Sequence, residues 1–338
     1  MNDVLADANL EHCNTLRVSA RARFLVDIDD TASLPTLLRD GRFAGLPVMV
    51  LGEGSNLLFT RDFDGLVLRL RNADITLIDE QDGVVAVRAG AGAQWNALVD
   101  WSLAHGLGGI ENLALIPGLC GAAPIQNIGA YGVELADVLS AVEVYDRVER
   151  TQLRLPSEDC ALAYRDSRFK QAAGRYIVTA IHLRLQRHPT LRLDYAGIRE
   201  ELDSMQVATA DVLAVGEAVR RLRRRKLPQP DVLPNAGSFF KNPIVSEAQG
   251  RVLRAQYPAM PQWPAADARC KLSAAWLIEQ AGYKGYRDGD AGIAERHALV
   301  LVNHGRASGA QLLALAMKVR AGVAARFGVH IEPEPVIL

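Results

Sequence analysis

The densest chemistry in this sequence lies in NAGSFFKNP, Asn235 to Pro243. Ser238 stands between Gly237 and two phenylalanines, with Lys241 and Asn242 just beyond, so one hydroxyl shares an apolar setting with a cation and an amide. This serine is not framed as an acyl-transfer nucleophile, because the surroundings are not G-x-S-x-G and no histidine lies nearby in sequence to act as base. Taken alone, the segment also reads as a Gly-Ser turn ahead of a Phe-Phe core strand.

A second stretch offers backbone in place of side chains. From Asn112 to Val133 the chain runs 22 residues, NLALIPGLCGAAPIQNIGAYGV, without Asp, Glu, Lys, Arg or His. Pro117, Pro124, four glycines, Gln126 and Asn127 exclude a membrane helix, since unpaired backbone groups in lipid cost several kcal/mol each. The expectation is a buried loop. A buried loop must satisfy its N–H and C=O groups on something other than water. A large, flat, partly anionic ligand would serve, with glycines allowing close approach and successive N–H groups holding phosphate. Ordinary turns packed between elements are the alternative.

GEGSN (Gly52 to Asn56) follows the strand-like PVMVL, and GAGAQW (Gly90 to Trp95) sits between a strand and a helix. Neither completes a dinucleotide fingerprint, because the sixth positions are Leu57 and Trp95 where a small residue is needed. GEGSN is read as ligand contact, since its two glycines stand beside the donors Ser55 and Asn56; GAGAQW is read as a structural turn. RRLRRRK (Arg220 to Lys226) puts six cations in seven positions near a helix C-terminus. It reads as a solvated face suited to the helix dipole, as an RNA patch, or, for Lys226, as a grip on an anionic substrate. In YRDS, Arg165 beside Asp166 reads alone as a surface ion pair. Glu332 and Glu334 flank Pro333 and point the same way if that segment is extended. The seven histidines show no metal-ligand spacing, and Cys13, Cys120, Cys160 and Cys270 are scattered without a C-x-x-C pair.

The elements that must position these residues follow from periodicity. RFLVDI (23–28), PVMVL (47–51) and LVLRL (66–70) read as strands around a short helix at 33–40. ITLID (75–79) and VVAVRAG (84–90) precede a helix from Gln94 to His105 that buries Trp95, Leu98, Val99 and Leu103. VEVYD (142–146), YIVTAIHLRL (176–185) and LRLDY (191–195) make 70 to 200 strand-rich. Residues 209–226 predict a helix stopped by Pro228 and Pro230, followed by helix 272–282 and strand 298–303. A last helix opens at Ser308 with Gln311 three residues on and closes at Gly328, after which VHIEPEPVIL is extended and returns to the first domain. At 338 residues, 49% hydrophobic, 23% charged and net charge −1, the chain is expected to be a soluble cytoplasmic protein of two or three domains. No secretory signal, membrane insertion or wholesale nucleic-acid binding is expected.

Six motifs in this order, GEGSN, IPGLCGAAPIQNIGAYG, AYRDS, KLPQP, NAGSFFKNP and EPEP, resemble the UDP-N-acetylenolpyruvoylglucosamine reductase family over nearly the whole chain. The resemblance implies a mixed α/β, α+β architecture: FAD-binding subdomains at 1–70 (plus 328–338) and 71–203 in the vanillyl-alcohol-oxidase-type fold, and a substrate domain at 204–327. It implies non-covalent FAD touching Gly52, Glu53, Gly54, Ser55, Asn56, Pro117, Gly118, Gly121, Ala122, Ala123, Ile128 and Gly129. Ser238 would donate the proton, with Arg165 and Glu334 flanking the reacting carboxylate and Glu332 a lesser candidate. Tyr131, Tyr195, Lys226 and Asn242 would hold the UDP-sugar, and Tyr195 in LDYAG marks the longer family form with a tyrosine-bearing loop over the substrate. NADPH would reduce the flavin, which would pass hydride to the enolpyruvyl ether, in a monomer. Relatives often carry serine where Ala122 and Ala123 stand, so backbone N–H must replace those hydroxyls here, and often arginine where Val336 stands. A flavin oxidase of the same cofactor fold and an RNA-binding protein using Arg220 to Lys226 are the competing readings.

Overall fold

A computed structural model describes residues 3–338. Its contacts gather into two units, one holding the chain up to Ala8, Ala22–Glu53 and Asp64–Arg225, the other Asn9–Arg21, Gly54–Phe63 and Lys226–Leu338. These are drawn differently from the three spans expected from sequence.

The first unit has two sheets. One runs in the order Val4–Asn9, Arg21–Ile28, Phe63–Leu70, Val48–Val50, the last two strands parallel. Val26, Ile28, Leu66, Leu68 and Leu70 build its core with Leu34 and Phe43. The other is antiparallel, ordered Thr151–Pro156, Leu139–Asp146, Tyr176–Gln186, Val84–Gly90, Ile75–Gln81. Strand alternation turns Val85, Val87 and Ala89 into a core completed by helix Trp95–Ala104 and helix Val212–Lys226 through Val215, Val219 and Leu222. That second helix was assigned to the substrate domain, but its apolar stripe is buried with the first unit. Across the sheet, Arg88 grips both oxygens of Glu143 (2.9 and 2.8 Å) and His182 Nε2 lies 2.7 Å from it. The hydrogen bonds to His182 and then Arg88 hold the Glu143 carboxyl down to about 2.

In the second unit a sheet ordered Asn235–Ser238, Val300–Asn303, Ala291–Ile293, Arg287–Asp288 carries the catalytic candidate. Helix Gly309–Phe327 is opened by a reciprocal Ser308/Gln311 capping box and stopped by Gly328 at φ 63°. Its first residue admits no side chain, because a Cβ on Gly309 would lie 1.6 Å from the Phe59 carbonyl oxygen. Val336–Ile337 pairs in parallel with Leu57–Leu58.

Three local expectations fail for physical reasons. LRLDY is not a strand: Leu191 and Leu193 pack on the core, but no strand pairs with the segment among the described residues. Helix 33–40 shrinks to Leu34–Leu37, where Pro35 sits in the first turn and Asp40 caps a separate 3-10 turn. The helix Glu247–Gln256 was missed, although Ser246 caps it through its hydroxyl.

Candidate active site

The neutral segment lies against the turn that joins strand Val84–Gly90 to helix Trp95–Ala104. Trp95 N–H donates to Gly118 O (2.9 Å), Cys120 N–H to Ala93 O (2.8 Å) and Gly121 N–H to Ala91 O (3.0 Å). Gly121 has no room for a side chain, since a Cβ there would lie 2.6 Å from that of Ala91. Gly118 N–H donates to Glu53 Oε2 at 2.8 Å, which brings the GEGSN turn and the neutral segment together within one unit. Glu53 therefore ties these two segments to each other. The segment is less buried than expected: Pro117 and Ala122 are exposed, Gly52, Gly121, Ile128 and Gly129 are half-buried, and Gly118 and Ala123 are buried. Leu115, Asn127 and Tyr131 hold left-handed backbone, φ 58°, 45° and 50°, which costs a non-glycine residue about 1 kcal/mol or more. Asn127 is fixed by Glu134 Oε2 (2.9 Å) and Ala136 N–H (3.0 Å).

This lining fits FAD. Residues 52, 117, 121–122 and 129 are neutral, small and open or half-open, and a Cβ on Gly52 would meet only the Leu119 side chain, 3.5 Å away. A flat ring asks for such a neutral surface, while the N–H groups of Gly118, Gly121, Ala122 and Ile128 are already given to Glu53, Ala91, Leu119 and Ala123. GAGAQW serves a different need: a Cβ on Gly90 would lie 2.3 Å from Asn72 O, and one on Gly92 2.6 Å from Leu70 O. In the second unit Gly54 is equally confined, at φ +64° with Cys13 O 2.3 Å from its Cβ position, and Ser55 and Asn56 are half-buried.

Arg165 sits at φ 55° in a tight turn where Ala163 and Asp166 exchange backbone bonds. Its Nη2 donates to Gly129 O (2.8 Å), and Lys170 Nζ donates to the Arg165 carbonyl (3.0 Å), so the guanidinium is fastened to the end of the neutral segment. Tyr131 and Tyr195 meet edge to face, centroids 5.0 Å apart. Burial pushes the Tyr131 hydroxyl up against the pull of Arg223 and Arg225. Arg223, which sequence reasoning did not single out, has a buried Nε with no hydrogen-bond partner. Its neighbours in the basic run form internal ties, Arg220 to Asp100, Arg221 to Glu217 and Arg225 to the buried Glu201, while Arg224 and Lys226 are exposed. Arg221, Arg224, Arg225 and Lys226 are exposed, so the run is mostly a solvated face carrying ion pairs.

In the second unit Asn235 shapes the turn before Ser238. Its Oδ1 accepts from Gly237 N–H (2.9 Å), and its Nδ2 donates to Pro228 O and Leu233 O. Gly237 at φ 69° then delivers Ser238 opposite Val300, with Phe239 and Phe240 buried behind it. The C-terminal segment pairs antiparallel with this one: Phe240 bridges Pro333, Glu334 N–H donates to Phe239 O (2.8 Å) and Lys241 N–H to Glu332 O (2.9 Å). Ser238 and the half-buried Glu334 are thus close in register, whereas Glu332 is exposed. Asn242 Oδ1 accepts from Ala274 N–H at 3.0 Å, which leaves its NH₂ to donate elsewhere. Burial first, then Lys226 and Lys284, keep His297 below the usual histidine range.

A family model for the C-terminal domain of UDP-N-acetylenolpyruvoylglucosamine reductase matches residues 229–338, and one for an FAD binding domain matches 22–152. The reductase of Xylella fastidiosa (strain M12) is 51% identical over 330 residues, 97% of this chain and 94% of the relative. The chain belongs to the UDP-N-acetylenolpyruvoylglucosamine reductase family. The family member of Xanthomonas campestris pv. campestris (strain 8004) is 51% identical over 336 residues, 99% of this chain and 96% of its own length. The crystal structure of the Thermus caldophilus reductase superposes with a TM-score of 0.67 at 26% identity, covering 100% of this chain and 98% of that one. A solvent-stable cholesterol oxidase shares the fold alone, with a TM-score of 0.52 at 10% identity over 98% of this chain and 87% of that one. Membership makes this chain an FAD-dependent oxidoreductase with an FAD-binding fold joined to a substrate domain. Among the described residues no helix is long and apolar enough to cross a membrane, and no cluster of His, Cys, Asp or Glu could hold a metal.

Proposed function

We propose that this chain reduces the enolpyruvyl ether of UDP-N-acetylglucosamine to UDP-N-acetylmuramate in peptidoglycan precursor synthesis. The observation that carries the reading is the pairing of NAGSFFKNP with EPEP, two of the family's motifs, which seats Glu334 beside the Ser238 strand. When bound, FAD supplies hydride transfer, from NADPH and then to C3 of the ether. Ser238 gives its proton to C2, a carbanion-like centre basic enough to take it from a weak acid, and Lys241 or Asn242 orients and recharges the hydroxyl. Arg165 balances the negative charge that develops on the enolate, and Glu334 acts beside the reacting carboxylate. Lys226, Asn242, Tyr131 and Tyr195 hold the UDP-sugar. Non-covalent FAD, the vanillyl-alcohol-oxidase-type cofactor fold over 1–70 and 71–203, a substrate domain over 204–327 with 328–338 returning to the first, and a cytoplasmic monomer complete the proposal.

Anaerobic titration tests it. NADPH is expected to bleach the flavin and the enolpyruvyl UDP-sugar to restore its colour without oxygen. Colour restored by oxygen alone, with the sugar inert, would favour the oxidase reading. Acid precipitation should release the flavin into the supernatant; a yellow pellet would mean a covalent link.

A further inference from the structure

Asn112 opens the neutral segment and is fully buried. Its backbone belongs to the 3-10 turn Glu111–Leu113, tied down on several sides: Leu113 O accepts from Trp95 Nε1 (3.0 Å), Leu115 N–H donates to Asn96 Oδ1 (2.9 Å), and Glu111 Oε2 accepts from Gly109 N–H (2.6 Å). From this fixed base the carboxamide Nδ2 donates to two carbonyls far apart in sequence, Tyr131 O and Arg192 O, both at 2.9 Å. Those acceptors fix the amide orientation. Its Oδ1 is left buried with no hydrogen-bond partner, a cost native folds seldom accept without a reason.

Both grasped carbonyls belong to loops that carry a substrate tyrosine. Tyr131 is held at φ 50°, a conformation a tyrosine leaves unless its surroundings enforce it. Arg192 lies three residues before Tyr195 in a segment that pairs with no strand among the described residues, and the Tyr131 and Tyr195 rings lie with centroids 5.0 Å apart. We propose that Asn112 is a positioning residue that keeps the two tyrosine loops in register, so that Tyr131 and Tyr195 meet the UDP-sugar as one preset pair. An apolar residue of the same size would fill the space but release both carbonyls. Tyr131 could then relax to negative φ and part from Tyr195. The proposal rests on the UDP-sugar reading for what the pair grips, and not for the tie itself.

Two variants of the FAD-loaded enzyme test it, Asn112→Asp, which keeps the shape but removes the NH₂, and Asn112→Ser should the first fail to fold. Amide hydrogen exchange in peptides spanning 129–133 and 190–196 is expected to speed up together by about tenfold, as loss of two hydrogen bonds to a buried donor implies, while helix Trp95–Ala104 keeps its protection. KM for the enolpyruvyl UDP-sugar should rise by about tenfold, with kcat and anaerobic bleaching by NADPH little changed. Faster exchange across Trp95–Ala104 would make Asn112 a packing residue, and unchanged exchange in either loop would remove the tie. Both loops loosened at an unchanged KM would overturn the role in substrate positioning. Wild-type enzyme inert toward the UDP-sugar would instead defeat the functional reading, with the exchange data still deciding the tie.

Discussion

The neutral segment of the first unit and the Ser238 strand of the second solve the same problem in opposite ways. The segment offers backbone. Its shape is set by glycines with no space for a Cβ, by three non-glycine residues in left-handed conformation, and by the Glu53 carboxylate gripping Gly118. The strand offers side chains, aimed by Gly237 at φ 69°, by the Asn235 carboxamide that shapes the turn, by an irregular pairing with Val300 and Val302, and by backbone bonds to Glu332 and Glu334. Where backbone is the ligand-binding surface, a change of shape does the damage; where a hydroxyl does the chemistry, a change of one atom does.

The sharpest contrast should appear at Ser238. Ser238→Ala is expected to leave bleaching by NADPH near the wild-type rate while slowing reoxidation by the enolpyruvyl sugar by about 10² to 10⁴, the usual cost of a lost general acid. Cysteine should recover part of it. Stopped-flow traces in which both half-reactions slow equally, or neither does, would remove the proton-donor role. Lys226→Ala should weaken UDP-sugar binding by about 10- to 150-fold, corresponding to a charged hydrogen bond worth about 1.5 to 3 kcal/mol. Unchanged affinity by calorimetry would return this exposed lysine to the solvent.

Gly121→Ala tests the backbone side. With Ala91 Cβ only 2.6 Å from the new methyl, the segment must shift, and a loss of about 1 to 3 kcal/mol in stability together with weaker FAD retention is expected. A variant with wild-type Tm and flavin content would show that this close contact sets nothing. The smallest effect is expected away from both regions. Glu143 titrates at about 2 against an ordinary 4.5, so its stabilisation is complete above the unfolded value and is lost as pH falls through the folded one. Glu143→Gln should therefore cost about 1 to 2 kcal/mol at neutral pH, allowing for water screening at a part-exposed pair, and the gap to wild type should close between roughly pH 4.5 and 2. A gap that persists in urea melts at pH 2 would assign the loss to packing.

Much of this was legible in order along the chain. Val84–Gly90 matches the alternation that predicts it, and Gly309–Phe327 begins and ends at the cap and glycine read from sequence. Motif order identified the family, and Glu53 of GEGSN meets the neutral segment at Gly118. What sequence could not convey is partnership. LRLDY alternates like a strand but has no partner strand among the described residues, the basic run pairs with Asp100, Glu217 and Glu201 while most of its cations stay exposed, and Glu334 separates from Glu332 only once the C-terminal segment has a strand to pair with. Asn112 and Arg223 left no signal at all, being one amide in a neutral run and one arginine among five.

The unit that carries Ser238 is threaded from three separated stretches, Asn9–Arg21, Gly54–Phe63 and Lys226–Leu338. Asn235 N–H donates to Thr15 O, Asn303 Nδ2 to Leu16 O, and Leu338 N–H to Leu58 O. The segment from 226 onward is thus no transplantable cassette. Expressed alone or grafted onto another flavoprotein, it would leave behind the acceptor carbonyls of Thr15, Leu16 and Leu58 and the Phe59 backbone against which Gly309 packs, so inheritance by shuffling of a contiguous gene fragment would yield a misassembled product.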